Sequence, residues 1–269
     1  MSFPAITSPG NERIKRVVRL RRGTHRRDEG LSLVDGVREL AAAVAAGIPL
    51  REIFFCRDLV AVDSIRDVLA AAVQAGTSVY EVSPGVAERL AYGQRHDGVT
   101  AVIVPPELTL ADLTLPECPL VAILEGLGKP GNLGAVVRSA DAAGVSAVIV
   151  VDGETDIYNP NAIRASLGTI FRLPVCAAES SAVLPWLTGH GLQLVAARLD
   201  GDAAPWDVDL AKPTAILLGA EATGLSSRWN EAGVRAIRLP MLGIADSLNV
   251  SATAAVLFYE ALRQRTLAG

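Results

Sequence analysis

The chain has 269 residues, of which half are hydrophobic, and its formal net charge is −4 at pH 7. This length allows one large domain or two smaller ones with a sizeable core. No apolar run reaches the ~18 residues that a membrane-spanning helix needs, and no cationic segment followed by an apolar one begins the chain. We therefore expect a cytoplasmic protein without a membrane partner.

The cysteines Cys56, Cys118 and Cys176 are odd in number, widely spaced and not arranged as a CxxC pair. Such usage is typical of a reducing cytosol, and it predicts three small core residues instead of disulfides. The three histidines are scattered along the chain, so the sequence predicts no metal site.

The N-terminal part, residues 1–105, alternates between strand and helix patterns, which predicts a small α/β domain. Predicted helices cover residues 11–22, 36–46, 62–75 and 84–91, and predicted strands cover residues 31–34, 53–55, 79–82 and 98–104. Residues 106–119 contain several prolines and polar side chains, which is typical of a linker.

Residues 11–30 form a strongly basic segment inside an acidic chain. They contain eight Arg or Lys and three acidic residues, a local charge of +5 that leaves −9 for the remainder. One interpretation is a solvated helix face. The other is an arm that neutralises nucleic-acid phosphates through Arg19, Arg21 and Arg22, with an affinity that falls steeply as salt rises.

Residues 120–269 continue the alternation and predict a second α/β domain. Predicted strands cover residues 120–124, 146–151, 174–175, 192–197, 215–218 and 236–239, and predicted helices cover residues 132–143, 159–167, 180–189 and 247–265. The strand at 146–151 is apolar throughout, as a parallel sheet covered on both faces requires. For the last helix we expect Asp246 or Ser247 as the cap and an apolar face that includes Leu248, Val256 and Tyr259. Asn249 is a poor helix former and costly to bury, so it is either a helix cap with a solvent-facing amide or a functional residue.

Four short stretches of this second part combine glycines with polar residues. They read LEGLGKPGNLGAVVRS at 124–139, LLGAEATGL at 217–225, LPM at 239–241 and SLNVS at 247–251. In this order they resemble the three sequence motifs of the SpoU/TrmH branch of the SPOUT RNA methyltransferases, over residues 120–265. The N-terminal part resembles, more weakly, the substrate-binding domain that precedes many SpoU-type catalytic domains, although Asp35-Gly36 stands where that family usually has Glu-Gly.

The resemblance implies a doubly wound α/β domain with a parallel sheet, whose C-terminal part is threaded as a deep trefoil knot. It implies a homodimer with its active site at the subunit interface. It also implies S-adenosylmethionine as cofactor, held in a bent shape mainly by backbone groups of the knot loops. Mapped onto this chain, the expected cofactor contacts are Leu199, Gly219, Leu239, Met241 and Leu248.

The reaction implied by the resemblance is methylation of a ribose 2′-hydroxyl in RNA. A separate domain with a basic helix favours ribosomal over transfer RNA. Arg138 is the expected central catalytic residue, and because a guanidinium rarely loses its proton, we expect it to position the hydroxyl and stabilise developing negative charge. Arg164 is expected to contact RNA phosphate across the dimer. The residues expected to orient Arg138, the loops and the nucleotide are Asn132, Glu221, Ser247 and Asn249.

Two other classes of function fit parts of the pattern. Gly126, Gly128 and Gly131 form a G-x-G-x-x-G after a predicted strand, and Asp152 ends the next strand, as in a dinucleotide-binding oxidoreductase. That alternative leaves the stretches after residue 217 unexplained. The third class is an RNA-binding protein that has lost catalysis, and the complete set of polar motif residues argues against it.

Overall fold

A computed structural model describes residues 3–93, 97–153, 156–220, 223–230 and 233–268. Up to residue 103 the strands and helices are β1 (Ala5–Ile6), α1 (Glu12–Arg19), α2 (Gly23–Glu29), β2 (Ser32–Asp35), α3 (Val37–Ala45), β3 (Leu50–Phe55), α4 (Val62–Gln74), β4 (Ser78–Val82), α5 (Pro84–Leu90) and β5 (Val99–Ile103). From residue 120 they are β6 (Leu120–Glu125), α6 (Pro130–Ala142), β7 (Ala147–Val151), α7 (Pro160–Ala165), β8 (Val175–Ala178), α8 (Ser180–Gly189), β9 (Gln193–Ala197), β10 (Thr214–Leu218), β11 (Val234–Ile237) and α9 (Val250–Ala268).

The chain divides into two compact units. Met1–Pro106 together with Tyr158–Arg172 form the first, and Glu107–Ile157 together with Leu173–Gly269 form the second. The alternation of strands and helices agrees with the sequence patterns, but the division into units differs from the expected domains in two places. Residues 158–172 belong with the N-terminal unit, and the expected linker packs on the second unit, where Leu113 is buried in the core.

The first unit is built on a mixed five-stranded sheet with the order β1-β4-β3-β5-β2. Strands β1, β3 and β4 pair in parallel, whereas β5 pairs antiparallel with both β2 and β3. Helix α1 begins at the Asn11 cap, whose side chain accepts a hydrogen bond from the Arg13 amide, and it buries Ile14 and Val17. The predicted helix over 11–22 therefore corresponds to α1, which ends earlier at Arg19, whereas α2, which begins at Gly23, was not predicted.

The second unit contains a six-stranded sheet with the order β11-β9-β10-β6-β7-β8, in which every pairing is parallel. The strands β6, β7 and β10 are buried along their whole length, which agrees with their continuous apolar sequence. The predicted α/β class with a parallel sheet is confirmed. Because all strands run the same way, their carboxyl ends meet at one edge, and the loops there build the site described below.

The C-terminal helix begins later than predicted. Helix α9 starts at Val250, and its cap is Asn249, whose side-chain oxygen accepts a hydrogen bond from the Ser251 amide at 2.9 Å. Asp246 and Ser247 lie in the preceding exposed loop. The buried face also differs from the prediction, since it consists of Val250, Ala254, Leu257, Phe258 and Ala261.

Within the described residues, no helix is both long and apolar enough to cross a membrane, and no group of His, Cys, Asp or Glu is arranged to hold a metal ion. The three cysteines are free thiols. Cys56 and Cys176 are buried as predicted, but Cys118 is exposed, so its expected core position is wrong.

Candidate active site

The carboxyl ends of β9, β10 and β11 surround a cavity of about 470 Å³. The loop before α9 and the first turn of that helix close its remaining side. All of the expected cofactor contacts line this one cavity, and they are Leu199, Gly219, Leu239, Met241 and Leu248. Pockets of about 300–1,000 Å³ are typical of small-molecule sites, so the cavity has a suitable size for a nucleoside-containing cofactor.

Gly219 has a structural role that the sequence did not reveal. A Cβ atom on Gly219 would lie 2.2 Å from the Gly224 carbonyl carbon and 2.4 Å from the Leu225 nitrogen. The Gly224 amide also donates a hydrogen bond to the Ala220 carbonyl at 2.8 Å. The glycine was expected to let the backbone approach a ligand, whereas in the structure it lets one side of the cavity's own loop approach the other.

Charged residues that were not predicted also line the cavity. Asp200 and Asp246 contribute carboxylates, and Arg198 donates to the two oxygens of Asp200 at 2.8 and 2.9 Å. These hydrogen bonds lower the pKa of the Asp200 carboxyl, so it is ionised at neutral pH. Their position in loops after strands was the available signal, but single Asp and Arg residues in loops are too common to be selected by sequence alone.

Asn132 and Asn249 meet although 117 positions separate them, since the Asn249 side-chain amide donates to the Asn132 side-chain oxygen at 3.4 Å. Asn132 lies in the first turn of α6, and Asn249 lies between two residues that line the cavity, Leu248 and Val250. The contact therefore joins the helix that follows β6 to the edge of the cavity.

Arg138 lies apart from this contact. It is exposed on α6, it is not among the residues that line the cavity, and its side chain has no hydrogen bond or ion pair to the described part of the chain. Arg138 follows Asn132 by six residues, which in an α-helix corresponds to a rise of about 9 Å along the axis. The two side chains therefore point about 120° apart around the helix axis. Ser247 lines the cavity, and Glu221 lies outside the described residues.

A second cavity, of about 680 Å³, lies at the ends of β7 and β8 and contains Asp152. Asp152 is already engaged, because it accepts hydrogen bonds from the Ser180 amide and from Arg228, both at 2.9 Å. The glycines at 126, 128 and 131 do not line this cavity. In a dinucleotide fold the acid and the glycine loop would share one site, so the geometry disagrees with that alternative.

The basic segment of residues 11–30 is partly used for structure. Arg21 donates to the Arg89 and Ala91 carbonyls, so it holds α1 against the end of α5 and is a poor candidate for RNA contact. Arg26 is buried and donates to two other carbonyls. In contrast, Arg19 and Arg22 are exposed, and their side chains form no hydrogen bond or ion pair with the described residues.

Arg164 was expected to contact RNA, but its guanidinium forms an ion pair with Asp35 at 2.6 Å. The Asp35 side chain is 4% exposed. Its burial raises the pKa of this carboxyl to about 6, and the charge of Arg164 works in the opposite direction. Asp35 also accepts a hydrogen bond from the Tyr92 amide at 2.6 Å. Within the first unit, Arg164 therefore compensates a buried carboxylate.

This pair predicts a pH-dependent loss of stability in Arg164→Leu. Because the pKa of Asp35 is raised on folding, its ionisation opposes folding as pH rises from about 4 to about 6. Without Arg164 the unpaired carboxylate should cost about 3 kcal/mol at pH 8, and much less at pH 5, where Asp35 is mostly protonated. Urea unfolding at both pH values measures the difference. The control is Arg38→Leu, an exposed arginine of the same unit, and an equal loss at both pH values in Arg164→Leu would contradict the assignment.

Comparison with protein-family models gives two matches. Residues 119–259 match the model of the SpoU rRNA Methylase family. Residues 11–101 match the model of the MRM3-like substrate binding domain. The first match covers the whole parallel sheet and about half of α9, and the second covers most of the mixed sheet.

Relatives and solved structures give the same result over nearly the whole chain. A 23S rRNA (uridine(2479)-2′-O)-methyltransferase of Streptomyces viridochromogenes is 32% identical over 88% of this chain and 84% of its own length. A crystal structure of an RNA 2′-O ribose methyltransferase is 42% identical with a TM-score of 0.86, covering 97% of this chain and 99% of that one. An AdoMet-bound rRNA methyltransferase from Sinorhizobium meliloti is 28% identical with a TM-score of 0.88, covering 97% and 98%.

Proposed function

The chain belongs to the SpoU rRNA methylase family and is an S-adenosylmethionine-dependent RNA ribose 2′-O-methyltransferase, and we propose that its substrate is ribosomal RNA. The observation that supports this best is the convergence of the expected cofactor contacts on one cavity at the carboxyl edge of a parallel sheet. The trefoil knot implied by the resemblance and the cytoplasmic location stay predictions.

The residues of the cavity fit S-adenosylmethionine chemically. Leu199, Leu239 and Met241 provide apolar walls for an adenine ring. The carboxylate of Asp246 suits the positive charges that this cofactor carries on its sulfur and its amino group, whereas the charge of Asp200 is compensated by Arg198. The tight loop after Gly219 places the backbone of Gly224 and Leu225 at the cavity wall.

The reaction divides between the cavity and helix α6. When bound, S-adenosylmethionine supplies an electrophilic methyl group. Asn132 and Asn249 fix the start of α6 beside the cavity, and we propose that they orient the target nucleotide. We propose that the exposed guanidinium of Arg138 binds the RNA and stabilises the negative charge that develops on the 2′-oxygen, as donors preorganised for a transition state do.

Thermal shift with isolated ligands tests the cofactor assignment. S-adenosylmethionine or its demethylated product should raise the melting temperature, because a ligand that binds only the folded state stabilises it. NAD(H) should leave the melting temperature unchanged. A shift with NAD(H) alone would favour the oxidoreductase and contradict the proposed function.

The N-terminal unit is the proposed RNA-binding part, through Arg19 and Arg22. Replacing both with Ala should lower the slope of log affinity against log salt by about 1–2, because each lost phosphate contact removes about 0.7–0.9. Binding of S-adenosylmethionine should stay the same. The control is Arg57→Ala with Arg66→Ala, which removes two exposed charges elsewhere in this unit. If the unmodified protein, the Arg19 and Arg22 variant and the control variant all give the same slope, Arg19 and Arg22 do not contact RNA phosphates and this proposal is wrong.

We also propose that the protein is a homodimer through the second unit. Helix α9 leaves Val256 44% exposed and Tyr259 51% exposed, and the loop before it leaves Leu242 and Ile244 fully exposed. A second copy that covers these side chains would remove apolar surface from water, and it would give Arg138 a shared site to act in. Sedimentation at micromolar concentration should give a dimer, and a stable monomer would contradict a shared active site.

A further inference from the structure

Glu125 is a buried carboxylate at the carboxyl end of β6, with 6% of the residue exposed. Its two oxygens accept hydrogen bonds from Ser226, one from the amide at 2.7 Å and one from the hydroxyl at 2.8 Å. No Lys, Arg or His pairs with it within the described ranges of the chain. Burying an ionised carboxylate is costly unless its oxygens are hydrogen-bonded, so Glu125 strongly favours the position in which Ser226 reaches it.

Ser226 ends the loop that forms one wall of the cofactor cavity. Thr223, Gly224 and Leu225 line the cavity directly. The other end of the same loop is fixed where Gly219 meets the backbone of Gly224 and Leu225. The loop is thus attached to the sheet at two points, and hydrogen bonds to a charged acceptor are the stronger kind of attachment.

Resting on the proposed function, we propose that Glu125 is a positioning residue for cofactor binding. By holding Ser226, it sets the place of the 223–225 wall (Thr223, Gly224 and Leu225) before the cofactor arrives. Glu125 does not line the cavity itself, so its effect passes through Ser226. Its loss should therefore weaken the affinity for S-adenosylmethionine and raise KM for this substrate, while kcat at saturating cofactor and the affinity for RNA stay near those of the unmodified protein.

The test measures the Kd of S-adenosylmethionine by calorimetry and the two kinetic constants by methyl transfer. Glu125→Gln puts an amide nitrogen against the Ser226 donors and should raise Kd about 10-fold, in the range for losing hydrogen bonds to a charged group. Ser226→Ala removes only the hydroxyl and should raise Kd about 3-fold. The double variant should match Glu125→Gln, because both changes act on one contact.

A core variant separates positioning from general loosening. Val183→Ala removes buried volume from α8 in the same unit, and Val183 lines neither cavity. It should lower the melting temperature with Kd unchanged. If Glu125→Gln and Ser226→Ala lower the melting temperature but keep the normal Kd, the role is only structural and the proposal is wrong.

The proposal can be tested even if the Glu125→Gln variant does not fold. Should Glu125→Gln not fold, Ser226→Ala carries the test, because Ser226 is exposed and its change keeps the backbone hydrogen bond to Glu125. If the unmodified protein binds no S-adenosylmethionine, the proposed function itself is wrong. If it binds normally and both variants do too, only the role of Glu125 is wrong.

Discussion

Arg138→Ala should lower the rate of methyl transfer to RNA by about 100-fold or more, the scale for losing one preorganised charge-stabilising donor. The Kd of S-adenosylmethionine should change by less than about two-fold, which is below about 0.5 kcal/mol of binding free energy. The physical reason is position: Arg138 is exposed on α6 and outside the cavity wall, so it is free to meet the substrate but not the cofactor. Arg138→Lys should fail nearly as badly, because an ammonium cannot replace the planar guanidinium.

The matched control for Arg138 is Arg235→Ala, an exposed arginine on β11 that pairs with Asp202 and lines neither cavity. It should keep the normal rate. If Arg138→Ala also transfers methyl groups at the normal rate, the catalytic assignment is wrong, and Asn249 or Glu221 becomes the residue to test. If Arg138→Ala loses cofactor binding as well, the proposed separation between binding and chemistry is wrong.

Gly219→Ala should raise the Kd of S-adenosylmethionine by about 100-fold, which corresponds to a loss of about 2.7 kcal/mol of binding free energy. The added Cβ would lie 2.2 Å from a backbone carbon of Gly224, and backbone cannot rotate away as a flexible side chain does. The loop of Thr223 to Leu225 must therefore leave its place at the cavity. Overpacking of this kind costs about 1–3 kcal/mol, so the melting temperature should fall too.

The control for Gly219 is Gly128→Ala, because a Cβ there would meet no atom within 4 Å and the backbone has no positive φ. Calorimetry with S-adenosylmethionine should give a normal Kd for Gly128→Ala and a greatly weakened one for Gly219→Ala. Normal binding by Gly219→Ala would show that the cavity does not depend on this close approach of two backbone segments.

Much of the second unit could be predicted from the sequence because its signals are local. Continuous apolar runs such as 147–151 predict buried parallel strands, and glycine or proline marks the ends of most elements. The expected cofactor contacts came from the family resemblance, and they lie together because the carboxyl ends of parallel strands meet at one edge. The sequence alone would not have selected them, since a contact made by backbone groups does not require a particular residue type.

The features that the sequence missed depend on contacts between distant positions. Arg164 pairs with Asp35, 129 positions away, so residues 158–172 join the first unit although their pattern continues that of the second. Asn249 caps α9, which was one of its two interpretations, but it also contacts Asn132, 117 positions away, and no local pattern indicates that contact. The positive charge of the basic segment is evident from the sequence, but only the folded chain shows that Arg21 holds α1 to α5.

The central claim is ribose methylation of ribosomal RNA, and the chemistry of the product tests it most directly. The RNA is incubated with the protein and S-adenosylmethionine that carries a tritiated methyl group, and is then hydrolysed with alkali. A 2′-O-methyl group blocks attack by the 2′-oxygen on the neighbouring phosphate, so we predict label in alkali-stable dinucleotides, at a rate about 100-fold lower with Arg138→Ala. Label in mononucleotides, which indicates methylated bases, or no transfer to ribosomal RNA would contradict the account.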